Sequence, residues 1–166
     1  MTERVDFYVL QGSAPQLRWI CACRLAEKAY LRGMRVLVLA ASAAEAQTLD
    51  TLLWSFSERS FVPHALCGEG GGADPAAPVQ LAAAAPVQLA AAPPMQLAAA
   101  PPQNPPADLL INLSDRMPAQ PHDFKRIAEI VDADALRRRL GRERYRSYRE
   151  LQMALETHQL DATAET

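Results

Sequence analysis

The chain is short of cysteine, of long apolar runs and of any excess of one charge, and each shortage excludes something. Three cysteines in 166 residues (Cys21, Cys23 and Cys67) are too few and too odd in number for a disulfide scaffold, which points to a reducing, cytoplasmic setting. No apolar run approaches the roughly 18–20 residues that cross a bilayer, so no membrane partner is expected. The charged start Thr2-Glu3-Arg4 leads straight into a strand-like segment and does not read as a secretion signal. Seventeen basic and 19 acidic side chains leave a net charge of −2, which rules out a uniformly basic nucleic-acid binder.

What is present is unevenly distributed. Residues 75–107 carry no charge and hold 9 of the 13 prolines; the other 133 residues hold all 36 charged side chains, a globular composition. Within this insert Pro78-Val79-Gln80-Leu81-Ala82-Ala83-Ala84-Ala85 recurs with small changes at Pro86 and at Pro94. A period of eight fits neither helix nor strand, so the insert reads as a flexible loop. One P-V-Q-L copy serving as a strand, with the others looped out, is a refinement of that view.

Outside the insert the pattern alternates. Val5–Leu10 reads as a strand, and Pro15 opens a helix that runs to Arg32 and stops at Gly33. Val36–Ala40 is a strand covered on both faces, and Ser42-Ala43-Ala44-Glu45 is a capping box opening a helix to about Trp54. Phe61–Leu66 forms a short strand or an irregular edge, and Ala107–Leu113 another buried strand. Phe124, Ile127, Ala128 and Val131 suit a short helix leading into a last strand at 129–132, and a final helix spans 134–155 with Asp134 as its cap. The expected fold is a single-domain, three-layer α/β sandwich on a mainly parallel sheet.

Catalytic, metal and cofactor chemistry find no support. Gly68-Glu69-Gly70-Gly71-Gly72 lacks the Lys and the following helix of a phosphate loop. Cys21 and Cys23 point apart on one helix, and His64 and Cys67 lie on opposite faces of an extended segment. His122 and His158 have no obvious partner in the sequence.

The final helix is different. Leu136, Leu140, Ser147, Leu151 and Ala154 form one stripe at 100° per residue, read as inward. Arg138, Arg142, Tyr145 and Arg149 form another, with almost no acid interleaved. Guanidiniums beside an aromatic suit an anionic partner with an apolar group. That partner is an acidic peptide tail or, alternatively, single-stranded nucleic acid bound directly. Trp54, Phe56 and Phe61 form a second cluster, either core or a protein contact.

Val5-Asp6-Phe7-Tyr8-Val9-Leu10, Trp54 with Ser60-Phe61-Val62-Pro63-His64, Gly68-Glu69-Gly70 and Gly141-Arg142-Glu143-Arg144-Tyr145-Arg146-Ser147-Tyr148-Arg149 resemble, in that order, the chi-subunit family of bacterial DNA polymerase III. The resemblance implies a nucleotide-binding-like fold without a nucleotide site and a non-catalytic member of the clamp-loader assembly. It implies that Arg138, Arg142, Tyr145, Arg146 and Arg149 grip the acidic C-terminal tail of single-stranded DNA-binding protein, with Val131 or Ala135 as an apolar wall. It also implies that Trp54, Phe61 and Pro63 meet the psi subunit, and that contact with DNA is mainly indirect.

Overall fold

The computed structural model describes residues 2–12, 14–56, 64–67, 79–83, 85–86, 97–99, 107–118 and 121–160. The first half follows the sequence pattern closely. Strand β1 (Arg4–Leu10) leads into helix α1 (Pro15–Leu31), where Pro15 sits in the first turn and Gly33, at φ 76°, takes the left-handed position just past the end. Strand β2 (Val36–Ala40) is buried at every residue, and α2 (Ala43–Ser55) begins with the Glu45 amide donating to Ser42 Oγ at 3.2 Å. Strand β3 is His64–Cys67. Strand β4 is Val79–Ala83, the first copy of the repeated octapeptide. The second copy's Val87-Gln88-Leu89 lies outside the described residues.

The remaining strands are β5 (Ala85–Pro86), β6 (Leu97–Ala99), β7 (Leu109–Asn112), β8 (Met117–Pro118) and β9 (Arg126–Val131). Helix α3 (Ala135–Glu150) and strand β10 (Leu155–Leu160) are the last described elements. Seven strands form one sheet in the order β10-β1-β9-β7-β2-β4-β3, every described pair parallel. The small β5-β6-β8 sheet stands apart. Strand alternation sends Val36, Val38, Leu81, Ile111 and Ile130 toward α1 and α2, and Val5, Phe7, Leu37, Leu39, Leu110 and Ile127 toward α3. The result is the expected three-layer α/β sandwich.

The second half departs from expectation in three places. Ile127, Ala128 and Val131 belong to β9 rather than to a helix; only Pro121–Asp123 forms a 3₁₀ turn. Helix α3 ends at Glu150, not 155, because Gln152 takes φ 59° and turns the chain into β10, a strand absent from the sequence reading. The inward face of α3 is Gly141, Arg144 and Tyr148, whereas Leu136 and Leu151 are 54% and 45% exposed. A buried carboxylate, Glu129 of β9, explains the inversion. It accepts hydrogen bonds from Tyr148 Oη at 2.6 Å, Asn112 Nδ2 at 2.9 Å and Arg144 Nε at 3.1 Å. A buried charge needs such partners more than it needs leucine.

Candidate functional site

The start of α3 is fixed by ion pairing. Asp134 caps the helix by accepting from the Arg137 amide at 2.9 Å. The fully buried Asp132 takes both Nε and Nη2 of Arg137, at 2.8 and 2.7 Å. Burial alone would raise the Asp132 pKa, but the Arg137 side chain and the Asp134 amide outweigh it and hold it below the usual carboxylate value. Arg138 is held differently, donating to the main-chain oxygens of Asp132 (3.1 Å) and Leu10 (3.5 Å).

The arginines therefore divide into two kinds. Arg137 and Arg144 are consumed internally by Asp132 and Glu129. Among the described residues, Arg138, Arg139, Arg142, Arg146 and Arg149 have no carboxylate partner. The sequence of α3 shows seven arginines; the structure shows which five remain available.

A groove of about 310 Å³ runs beside two of them. Phe7 and Val9 of β1 and Thr157 and Gln159 of β10 line it from the sheet, with Val131 of β9 at its side. From α3, Gly141 and Tyr145 give the opposite wall, and Arg138 and Arg142 also line it. The Tyr145 and Phe7 rings meet edge to face with centroids 5.2 Å apart, and Tyr148 meets the same Phe7 at 6.0 Å. Gly141 is required here: a Cβ at that position would stand 2.9 Å from Val131 Cγ2, so glycine lets helix and strand close on each other.

Of the residues named from sequence, Arg138, Arg142 and Tyr145 line this groove; Arg146 and Arg149 are exposed on α3 and do not line it. Of the two apolar candidates, Val131 lines the groove and Ala135 does not. Phe7, Val9, Thr157 and Gln159 were missed. The strand alternation that puts Phe7 and Val9 on one face was available; β10 was not recognised at all. Trp54 is 55% exposed, its ring 4.6 Å from that of His64, while Phe61 and Pro63 lie outside the described residues.

The other candidates sort simply. Cys21 and Cys23 are buried, and burial pushes both thiols up to about 12. His158 does have a partner, Asp6 Oδ1 at 3.1 Å, and stacks on Tyr8. No described helix is long and apolar enough to cross a membrane.

The family model for the DNA polymerase III chi subunit, HolC, matches residues 1–156. The chain is similar to the DNA polymerase III subunit chi of Pseudomonas aeruginosa, 39% identical over 160 residues, which is 95% of this chain and 96% of that protein. It is also similar to the subunit chi of Haemophilus influenzae (29% identical; 90% of this chain, 92% of that protein) and of Escherichia coli (31%; 76% and 75%). Among solved structures, T4 UvsW superposes with a TM-score of 0.58 over 96% of this chain at 8% identity, a likeness of fold alone. This chain spans 42% of that one.

Proposed function

From the premise that the chain belongs to the DNA polymerase III chi subunit family, we propose that this replication subunit tethers the polymerase's clamp-loader assembly to single-stranded DNA-binding protein by gripping its acidic C-terminal tail. The observation that carries this is the groove itself: an aromatic and aliphatic floor with two guanidiniums along it that no carboxylate in the described chain neutralises. That pairing of chemistries matches a peptide ending in Phe with a free carboxylate. The ring enters between Phe7, Val131 and Tyr145, and Arg138 and Arg142 take the carboxylate. Arg138 comes pre-set by its two carbonyl contacts, so little ordering is required of it. Arg146 and Arg149 continue the positive surface along α3 toward the tail's upstream acids.

Charge-assisted hydrogen bonds of ~1.5–3 kcal/mol each, with one buried ring, correspond to roughly micromolar affinity. No atom in this scheme performs bond chemistry; the subunit acts by binding, with psi as a second partner through the Trp54 region. The test is a titration of a labelled tail peptide. Arg142→Ala is expected to lose most of the affinity with its melting curve unchanged, and a peptide lacking its terminal Phe to bind poorly to the parent. Equal binding by parent and Arg142→Ala would overturn the assignment.

A further inference from the structure

Successive residues of β1 face opposite sides of the sheet. Phe7 and Val9 serve the groove under α3; Asp6 and Tyr8 face a second depression, of about 210 Å³, on the α1 side. Leu25 and Ala29 of α1 wall it together with Met34, and Tyr8, Leu109 and Ala128 line it from the sheet. Lys28 and Arg32 at the end of α1 and Arg126 at the start of β9 border it as well.

The charge count around this slot does not balance. Asp6, its one lining carboxylate among the described residues, is 2% exposed and already shared by Arg4 (3.0 Å), Arg126 (2.8 Å) and His158 (3.1 Å). Lys28 and Arg32 have no carboxylate partner among the described residues. A helix C-terminus favours cations and accounts for those two. It does not account for an open slot with apolar walls beside them, bordered also by Arg126, whose carboxylate Asp6 is shared with Arg4 and His158. The Tyr8 ring, stacked on His158 at 5.0 Å and 21°, adds an aromatic surface. A metal ion is a poorer fit. Asp6, Glu156 and His158 come within 4.8 Å of one another, but the Arg4 guanidinium already bridges the two carboxylates at 3.0 and 2.7 Å.

We propose that this slot binds a nucleotide unit of single-stranded nucleic acid, with the base against Tyr8 and the phosphate among Lys28, Arg32 and Arg126. An aromatic ring accepts any base face, and clustered cations follow the backbone without reading sequence. The slot is smaller than the ~300 Å³ at which drug-sized pockets begin, the scale of one base rather than of a dinucleotide. Because it opens on the opposite face from the tail groove, a DNA strand and a protein tail can be held together.

The experiment uses the full chain, a labelled oligothymidylate of about ten nucleotides and, separately, thymidine monophosphate. The oligonucleotide is expected to bind and to weaken with salt, and the double variant Lys28→Glu/Arg32→Glu to lower its association constant about tenfold or more. Both side chains are exposed, so the fold should persist; an unchanged tail-peptide titration by the same variant confirms this and separates the slot from the tail groove. Tyr8→Leu is expected to weaken the oligonucleotide as well. Monophosphate binding lost in the double variant assigns the slot to free nucleotide; oligonucleotide binding alone assigns it to a strand. Absence of any binding, an unaffected double variant, or loss that follows Arg142→Glu/Arg146→Glu instead would overturn the proposal.

Discussion

Glu129 has no solvent exposure and three hydrogen-bonding neighbours, so its environment is set by single side chains rather than by area. Tyr148→Phe removes the 2.6 Å donor but leaves Asn112 and Arg144 in place, for an expected cost of about 1–3 kcal/mol. Glu129→Ala is worse. It strands the buried Arg144 guanidinium, and losing one partner of a buried pair costs roughly 3–5 kcal/mol. Urea denaturation of the two variants checks the order; a milder effect of Glu129→Ala would mean that Arg144 finds water. Cys21 and Cys23 act at the same scale. With both thiols pushed to about 12, they should resist a thiol reagent at pH 8 until the chain unfolds.

At the scale of elements, α3 shows what sequence patterning misses. Its position and N-cap were legible, since Asp134 followed by an arginine-rich helical run leaves few alternatives. Its facing was not. Hydrophobic periodicity assumes an apolar inner stripe, yet here the inner stripe is Gly141, Arg144 and Tyr148, answering the buried Glu129 carboxylate of β9, a partner that no periodicity along α3 reveals. Strand β10 escaped for a related reason. Leu155-Glu156-Thr157-His158-Gln159-Leu160 is a half-exposed edge without an apolar run, and the stop before it is a left-handed Gln152 rather than a glycine. The buried strands β2 and β7 were readable because their apolar runs are continuous. The site was half readable: the excess of arginine over acid in α3 shows in the sequence, but the groove's floor comes from β1 and β10, far apart in the chain. Gly141→Ala tests the helix–strand closure. The new methyl, 2.9 Å from Val131, meets a β-branched side chain with little rotamer freedom. Overpacking of about 1–3 kcal/mol is offset by at most ~1 kcal/mol of helix propensity. Net destabilisation and a weaker tail-peptide titration are expected; unchanged affinity would show that the groove tolerates a shifted α3.

For the whole molecule, buried carboxylates tie separate elements together. Asp6 of β1 binds Arg126 of β9 and His158 of β10, and so ties together three strands whose residues lie up to 152 positions apart. Asp132 does the same between β9 and α3. Burial alone would raise both carboxyl pKa values, but the hydrogen bonds from Arg126 and His158 to Asp6, and from Arg137 and the Asp134 amide to Asp132, lower them below 3.8. A depressed folded-state value means that the unfolded chain takes up protons first. The stabilisation is therefore complete above the ordinary carboxylate value and is lost as the pH falls through it toward the folded one. Urea midpoints should stay nearly level from about pH 7 to 5 and drop below about pH 4. Asp132→Asn separates this contribution from the other carboxylates. At neutral pH it should be less stable than the parent by about 1–3 kcal/mol, because Arg137 loses its charged two-pronged acceptor. That deficit should shrink as acid protonates Asp132 in the parent. A deficit that stays constant from pH 7 to 3 would show that the Asp132 charge contributes nothing and that shape alone seats α3 on the sheet.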